Sequence, residues 1–342
     1  EMCIRDSSHG IYGYYGDYKE YNNSIKWWMK NRHNWEIDTS WIFTTHGLVN
    51  GTGLCIDAFT KPGDGIILFT PVYYQFSNLV EAARRKVVEC PLKLIDNHYH
   101  FDFVEYERNL SGDEKMVILC SPHNPGGRVW TKNELQEVAK FAKKHNLVLV
   151  SDEIHHDLVY PNKNHTVMPI ADPSVCDRLV MMTATTKTFN IAGAHSGNVI
   201  IPHPNLRKKF SQRIKALGIS PNSFGLFMAT AAYSPEGAEW LDELLHYIDG
   251  NRVIFDKEVN KIPGLSSMPL EGTYLAWVDF SGTGMEKEEF IYRVQEKAKI
   301  AVNHGSTFGT GGEKFLRFNL ATPRTLVVEA TKRLKDTFSD LQ

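Results

Sequence analysis

Three side chains that can act together in chemistry each come shortly after an apolar run of strand length. They are an amide, a carboxylate and an amine, namely Asn124 after the run 116–120, Asp152 after 147–150 and Lys187 after 179–182. In an open parallel sheet, ligands bind outside the carboxyl ends of the strands. We therefore expect these three groups to lie along one edge of a sheet and to line a single site.

A cofactor that stores electrons in a pyridine ring requires this combination of groups. A lysine amine binds the cofactor covalently, a carboxylate keeps the ring nitrogen protonated, and a donor holds the phenolic oxygen of the ring. Taken singly, each residue also has a simpler explanation. Asp152 can cap the segment that follows it, Asn124 can form a turn, and Lys187 can be a solvated loop residue.

Glycines and an aromatic residue mark two further candidate elements. Gly47 and Gly51 precede the apolar helical stretch 54–59. Helix N-terminal amides hold a phosphate in such an arrangement, although a plain glycine turn fits equally well. Tyr73 follows the strand predicted at 65–69 and is placed either to stack on a planar cofactor or to pack in the core.

A period-two pattern near the end of the chain singles out an arginine. Within 315–320 it places Arg317 and Asn319 on the face opposite Leu316 and Phe318. A guanidinium fixed there can bind a substrate carboxylate through two parallel hydrogen bonds, each contributing about 1.5 to 3 kcal/mol. A surface salt bridge is the other explanation for this arginine.

The elements that position these residues alternate between apolar runs and helical patterns, as in an α/β domain with a mostly parallel sheet covered by helices. The clearest unit is strand 116–120, helix 131–145 and strand 147–150, whose helix starts with the capping box of Thr131 and Glu134. Such a crossover makes its two strands parallel. Further strands are predicted at 65–69, 179–182 and 198–201, but their order in the sheet is not predictable.

After about residue 247 the pattern changes to that of a smaller α+β domain. Its predicted strands are 274–280 and 315–320, and its predicted helices are 287–299 and 324–338. We therefore expect residues 1–8 to be a leader or the start of a fragment, 9–246 to form a large cofactor-binding domain, and 247–342 to form a small C-terminal domain.

The composition argues against several classes of function. A net charge of -2 gives no reason to expect nucleic acid or an anionic membrane surface as a partner. No apolar run reaches the roughly 20 residues that span a bilayer. The five cysteines are scattered without paired metal-ligand spacing. We therefore expect reduced thiols, no metal site and a cytoplasmic location.

Three motifs at the strand ends resemble a known family. They are SPHNPGGRVW at 121–130, DEIHHDL at 152–158 and KTFNIAG at 187–193. Together and in this order they resemble the fold-type I pyridoxal 5'-phosphate (PLP) enzymes of the class I/II aminotransferase superfamily. Within it they look like the MalY/PatB type of cystathionine β-lyase. The likeness covers the chain from about Tyr12 onward.

The resemblance implies a PLP-transferase fold of type I and a role for each candidate residue. Lys187 would be the Schiff-base lysine, Asp152 the partner of the ring nitrogen and Tyr73 the stacking aromatic, and these three are the predicted catalytic residues. Arg317 and Asn124 are predicted to bind the substrate. The predicted cofactor-binding residues are Gly47, Leu48, Val49, Tyr73, Asn124, Asp152, His155, Thr186, Lys187 and Tyr14.

The resemblance also implies a partner subunit, and the sequence departs from many aminotransferases at two positions. Tyr14 matches a tyrosine that such enzymes lend to the phosphate site of the neighbouring subunit, which implies a homodimer. His195 stands where many aminotransferases have a phosphate-binding arginine, so phosphate binding would rely more on amides and hydroxyls, with Thr186 as a candidate. His155 stands where many aminotransferases have tyrosine, in agreement with the lyase branch.

For this branch we expect α,β-elimination on cystathionine or another S-substituted cysteine, giving a thiol, pyruvate and ammonia. A class I/II aminotransferase is the main alternative, and it would require an added keto-acid acceptor. A non-catalytic PLP-binding regulatory module is a further alternative, since a fold alone does not establish catalysis. The thiol leaving group is not predictable from the sequence.

Overall fold

Residues 18–341 are described by a computed structural model of the protein, and helices cover much of this range. The α-helices are Lys19–His33, Leu48–Phe59, Gln75–Ala82, Phe103–Asn109, Lys132–Lys144, Met168–Ala171, Thr185–Thr188, Pro204–Ala216, Ser223–Ala232, Pro235–Val259, Lys287–Tyr292 and Arg324–Thr337. Within 18–341, no helix combines the length and the apolar composition needed to cross a membrane. Tyr14 and residues 1–8 lie outside the described range, so the expectations for them stay predictions.

The strands of the described range form a large sheet, a small sheet and a hairpin. They are β1 (Ile42–Thr45), β2 (Gly65–Leu68), β3 (Lys86–Glu89), β4 (Lys93–Ile95), β5 (His98–His100), β6 (Glu114–Cys120), β7 (Val148–Asp152), β8 (Leu179–Thr183), β9 (Gly197–Ile200), β10 (Ser266–Ser267), β11 (Leu275–Asp279), β12 (Asn303–His304) and β13 (Phe315–Asn319). The large sheet has the order β1-β9-β8-β7-β6-β2-β3, and the small sheet has the order β10-β11-β13-β12. Strands β4 and β5 form the hairpin.

The large sheet is mostly parallel, as the sequence predicts. Strands β8, β7, β6, β2 and β3 are parallel neighbours, whereas β9 runs antiparallel to both β8 and β1. All five strands predicted for this sheet are present, with ends that differ by at most two residues from the prediction. The sequence does not predict the two edge strands, β1 and β3, because they are only partly buried and lack a continuous apolar run.

Both faces of the large sheet are buried against helices. Within β6, Val117 and Leu119 pack into a core that includes the helix Lys132–Lys144. The intervening Ile118 packs into a second core, on the opposite face, with the helix Leu48–Phe59. Since a parallel sheet covered on both faces has no solvent side, its strands are continuously apolar. This explains why they could be recognised as uninterrupted apolar runs.

A crevice forms where β2 and β6 lie side by side. The helix Gln75–Ala82 after β2 packs on one face of the sheet, and the helix Lys132–Lys144 after β6 packs on the other. The second helix begins with the predicted capping box, in which Thr131 accepts a hydrogen bond from the amide of Glu134. Because the chain leaves these two strands towards opposite faces, a space opens outside their carboxyl ends.

The small sheet packs its own core against the end of a long helix. Leu316 and Phe318 lie in this core together with Phe255 of the helix Pro235–Val259. The same helix contributes Leu241 to the core of the large sheet. It therefore runs without interruption through position 247, where we expect the domain boundary, and joins the two cores. The boundary itself stays a prediction.

The helices predicted in the C-terminal region differ in how regular they are. The prediction at 324–338 is confirmed by the helix Arg324–Thr337. The prediction at 287–299 is only partly confirmed, because the regular helix ends at Tyr292 and continues as the π-helical turn Arg293–Lys297.

Candidate active site

The carboxyl ends of β6, β7 and β8 lie side by side at one level of the large sheet. Asp152 at the end of β7 pairs with Cys120 of β6 on one side and with Met182 of β8 on the other. The ladder continues past the strands, where the amide of Ser121 donates to the carbonyl of Asp152 at 3.0 Å. The segments after these three strands therefore meet at one edge, as the sequence predicts.

A cavity of about 420 Å³ opens at this edge, between the large sheet and β13 of the small sheet. All ten predicted site residues that fall within 18–341 line it. Its volume is in the range of small-molecule sites in proteins. The fold thus brings together predicted residues from six separate segments of the chain, although their individual roles are not fixed by this proximity.

The carboxylate of Asp152 is buried, with 6% of the residue exposed. One of its oxygens, Oδ1, accepts a hydrogen bond from the amide of Ile154 at 3.1 Å, so the capping role is present as well. Burial raises the pKa of Asp152 to about 7, while the Ile154 amide and the Lys187 amine act in the opposite direction. A cation beside this carboxylate, such as a protonated ring nitrogen, would keep it ionised at neutral pH.

The amine of Lys187 projects from the short helix Thr185–Thr188, directly after β8. The next residue anchors the helix, since the Thr188 hydroxyl donates to the carboxylate of Asp157 at 3.0 Å. Burial lowers the pKa of Lys187, and the nearby Arg317 lowers it further. A larger fraction of the amine is therefore neutral, which is the form that attacks a carbonyl.

Arg317 of β13 reaches across the cavity to the loop after β6. Its Nη1 donates to Oδ1 of Asn124 at 2.7 Å, and its Nη2 donates to Oδ1 of Asn303 at 2.8 Å. The guanidinium also lies over the ring of Phe308, 4.8 Å from its centroid, in the geometry of a cation–π contact. The alternative of a surface salt bridge is wrong, because both hydrogen-bond acceptors are neutral amides.

The charge of Arg317 has no anionic partner among these contacts. Burial lowers the pKa of Arg317, which reflects the free-energy cost of keeping the guanidinium charged there. Its Nε–H is buried and has no hydrogen-bond partner in the described part of the chain. A substrate carboxylate would supply both the missing negative charge and the missing acceptor.

The helix Leu48–Phe59 begins at the cavity with its N-terminus uncapped. Its N-cap residue is Gly47, which has a φ of 81° and no side chain with which to accept a hydrogen bond. The first amides of the helix, those of Leu48 and Val49, have no acceptor within the helix. The space in front of Gly47 is open, since a Cβ atom there would meet nothing within 4 Å. These amides and the helix dipole suit an anionic group such as a phosphate.

Two further predicted residues, His155 and Tyr73, are held neutral in the cavity wall. Burial lowers the pKa of His155 to about 3, with smaller effects from the cations of Lys187 and Arg317. Its Nδ1 is buried and lacks a hydrogen-bond partner within residues 18–341. Burial raises the pKa of Tyr73 to about 12. Both side chains can therefore hydrogen-bond to a ligand without contributing charge.

Sequence reasoning missed one residue that lines the cavity and one that lies beside it. Tyr274 lines it and packs edge-on against His155, with ring centroids 5.8 Å apart. Asn303 holds Arg317 from the two-residue strand β12. No local pattern marks either residue, because each acts through a contact that only the tertiary fold creates. His195 also lines the cavity, in a left-handed conformation with φ of 47°.

Comparison of the sequence with known families and proteins gives a consistent result. A family model described as aminotransferase class I and II matches residues 5–334. The chain is 34% identical to cystathionine beta-lyase PatB of Bacillus subtilis (strain 168), over 97% of the chain and 86% of that protein. It is 30% identical to protein MalY of Escherichia coli (strain K12), over 93% of the chain and 82% of MalY.

A solved structure has nearly the same fold over almost the whole chain. Cystalysin from Treponema denticola, described as containing a pyridoxal 5'-phosphate cofactor, superposes with a TM-score of 0.94. The two are 38% identical, and the match covers 99% of this chain and 86% of cystalysin.

The first prediction concerns the cost of ionising Asp152 in the cofactor-free protein. The raised pKa means that the folded state keeps its proton up to about pH 7, whereas the unfolded chain loses it near 3.8. Wild type therefore loses stability as the pH rises between these values, by about 1.4 kcal/mol per unit of pKa difference. We expect Asp152→Asn to have a larger free energy of unfolding than wild type, by a few kcal/mol above pH 7.

Urea unfolding of both cofactor-free proteins at pH 8 and pH 5 measures this difference, which should shrink at pH 5. Asp242→Asn is the control, because Asp242 is an exposed carboxylate that pairs with Arg32 at the surface. A wild type that is as stable as Asp152→Asn at pH 8 would contradict the buried-carboxylate account.

Proposed function

The chain belongs to the aminotransferase class I and II family, and from this premise we propose that it is a PLP-dependent carbon–sulfur β-lyase. The proposed reaction is α,β-elimination on cystathionine or a related S-substituted cysteine, in which substrate and water give a thiol, pyruvate and ammonia. The observation that carries the proposal is the convergence of the ten predicted residues on one cavity, in a chain that is similar along its length to a cystathionine β-lyase.

The residues of the cavity fit PLP at each of its polar ends. The uncapped helix that begins at Leu48 suits the phosphate, and the buried carboxylate of Asp152 suits a protonated ring nitrogen. Asn124 and the neutral imidazole of His155 can hydrogen-bond to the ring substituents. The pKa of Lys187 is lowered, so its amine is more readily neutral and is suited to react with the carbonyl group of the cofactor.

Three side chains of the cavity each have a separate role in the proposed reaction. When bound, PLP draws electrons from the α-carbon of an attached amino acid into its ring. Asp152 holds the proton on the ring nitrogen, which favours this flow of electrons. Arg317 binds the α-carboxylate and orients the α-carbon. Lys187 would hold the cofactor until the substrate binds and would then remove the α-proton, which would allow the β-carbon to expel its thiolate.

An aminotransferase is the second candidate function, because the matching family model is described as aminotransferase class I and II. Transamination uses the same residues up to removal of the α-proton and differs only in the later steps. A lyase turns over on its amino-acid substrate alone, whereas an aminotransferase stops after one equivalent unless a keto acid is added. The names of PatB and of its relatives favour the lyase.

We further propose a cytoplasmic homodimer. Support for the dimer comes from Tyr14, which matches the tyrosine that the family lends to the neighbouring phosphate site. Support for the location comes from Cys55, Cys90, Cys120 and Cys176, which are free thiols in the described range.

A product assay tests the reaction type directly. Incubation of the holoenzyme with cystathionine should release homocysteine, pyruvate and ammonia in equal amounts over many turnovers, without an added keto acid. Thiol and pyruvate detection in parallel measures this stoichiometry. Formation of a single equivalent of keto acid with no free thiol would reject the lyase in favour of the aminotransferase.

Removal of the Lys187 amine should abolish both covalent cofactor attachment and proton transfer. We expect Lys187→Ala to lose the visible absorbance of the lysine-bound cofactor and to lower kcat by more than about 100-fold, the usual contribution of a positioned general base. Absorbance spectra and steady-state kinetics measure the two effects. Lys144→Ala, at an exposed lysine that pairs with Glu107, is the control. If Lys187→Ala keeps normal turnover, the assignment is wrong.

Replacement of Arg317 should weaken substrate binding more than it slows the chemistry. Lysine keeps the charge but lacks the planar fork, so Arg317→Lys loses at least one charged hydrogen bond to the α-carboxylate. At about 1.5 to 3 kcal/mol per bond, we expect KM to rise roughly 10- to 100-fold. Arg252→Lys, at a position paired with Asp249 away from the cavity, should leave KM unchanged. An unchanged KM in Arg317→Lys would contradict its role.

A further inference from the structure

A second group of chemically active side chains lies outside the cavity, where the helix Lys19–His33 meets the segment after β7. It consists of His33, His156 and Asp157, which each offer one ligand atom, and these atoms lie within 4.8 Å of one another. The three residues come from two segments more than 120 positions apart in the chain. The proposed lyase reaction makes no use of them.

The carboxylate of Asp157 is held by two hydrogen-bond donors and lies next to His33. Its Oδ2 accepts a hydrogen bond from the hydroxyl of Thr188 at 3.0 Å. Its Oδ1 accepts one from the indole Nε1 of Trp28 at 2.9 Å and lies 2.8 Å from Nε2 of His33. The carboxylate is thereby fixed in position, with its Oδ1 pointing into the group.

The imidazole of His156 presents a lone pair to this carboxylate. Its Nδ1 lies 2.5 Å from the carbonyl oxygen of Glu153. Because a carbonyl can only accept, Nδ1 must carry the proton, and the Nε2 of a neutral ring is then unprotonated. This Nε2 lies 3.3 Å from Oδ1 of Asp157. It is buried and has no hydrogen-bond partner in the described part of the chain.

Nε2 of His156 and Oδ1 of Asp157 are both buried hydrogen-bond acceptors, and with no proton between them they repel each other. A cation between them removes this repulsion. The ring of His156 is 1% exposed, so bulk solvent does not supply the missing partner of its Nε2. A metal ion fits better, because imidazole nitrogens fixed by a hydrogen bond at their other nitrogen are common metal ligands. The Glu153 carbonyl orients His156 in this way.

We propose that His33, His156 and Asp157 bind a divalent transition-metal ion of the Zn²⁺ type. Two imidazole nitrogens and one carboxylate oxygen suit Zn²⁺, whereas Mg²⁺ and Ca²⁺ prefer ligands that are all oxygen. Ligand atoms around a tetrahedral Zn²⁺ with bonds of about 2.0 to 2.1 Å are about 3.3 Å apart. Asp157 Oδ1 lies 2.8 Å from Nε2 of His33 and 3.3 Å from Nε2 of His156, and all three ligand atoms lie within 4.8 Å of one another.

The metal links the helix Lys19–His33 to the segment next to the active site. His33 lies at the end of the helix Lys19–His33, whereas Asp157 contacts Thr188, the residue after Lys187. The three side chains supply three of the four ligands of a tetrahedral ion, and a water molecule completes the site. The ion stabilises the protein without touching the substrate. This inference goes beyond the proposed function. It can be tested independently of the lyase reaction, because its test measures metal binding rather than turnover.

The test uses holoenzyme treated with a chelator, freed of the chelator and titrated with Co²⁺, a spectroscopic substitute for Zn²⁺. Wild type should bind one Co²⁺ per chain with the intense visible bands of a tetrahedral site, and Zn²⁺ alone should raise its Tm. In His156→Asn the amide can still donate to the Glu153 carbonyl, but the Nε2 ligand is gone. We expect its affinity for Co²⁺ to fall by at least about 100-fold.

The matched control is His145→Asn, because His145 lies at the surface beside Glu107, outside the group. It should bind Co²⁺ like wild type. The proposal is overturned if wild type binds no stoichiometric Co²⁺, or if His156→Asn binds it as tightly as wild type. If His156→Asn does not fold, X-ray absorption spectroscopy of Zn²⁺-loaded wild type replaces it as the test. The spectrum should show two imidazole ligands, and their absence would overturn the proposal.

Discussion

The free energy needed to keep Asp152 ionised inside the protein is the constraint on which the active site depends. A carboxylate at the end of a central parallel strand is shielded from water on both faces of the sheet, and burial raises its pKa to about 7. Such a group either stays protonated or finds a cation. A pyridine ring whose nitrogen carries a proton meets this requirement, and the same pairing makes the ring an electron acceptor. If this ring is the cation, the cost of burying the carboxylate is linked to cofactor binding and to catalysis.

The remaining charged groups line the same cavity as Asp152. Arg317 and Lys187 share the cavity, and each has a pKa lowered by burial. Arg317 also lowers the pKa of Lys187, so the amine is more readily neutral, while the guanidinium keeps its charge between two neutral amides. The N-terminus of the helix that begins at Leu48 adds a partial positive charge at another edge. The site is therefore complementary to a ligand with a cationic ring and two anionic ends.

Much of this arrangement was predictable from the sequence, and the reason is physical. Parallel strands covered on both faces are continuously apolar, so their ends are visible in the sequence, and the residues after those ends include Asn124, Asp152 and Lys187. The partly buried edge strands β1 and β3 lack this signal. Tyr274 and Asn303 act only through tertiary contacts, and cysteine spacing could not indicate the group formed by His33 with the distant His156 and Asp157. The helix Pro235–Val259 has no break at residue 247, because it serves both cores.

The protonation state of the ring nitrogen tests the central claim most directly. Holoenzyme reconstituted with PLP labelled with nitrogen-15 in the ring can be observed by NMR, since the chemical shift of that nitrogen reports whether it carries a proton. If Asp152 is its partner, the nitrogen is protonated at pH 8 in wild type and unprotonated in Asp152→Asn. An unprotonated nitrogen in wild type, or the same shift in both proteins, would contradict the account.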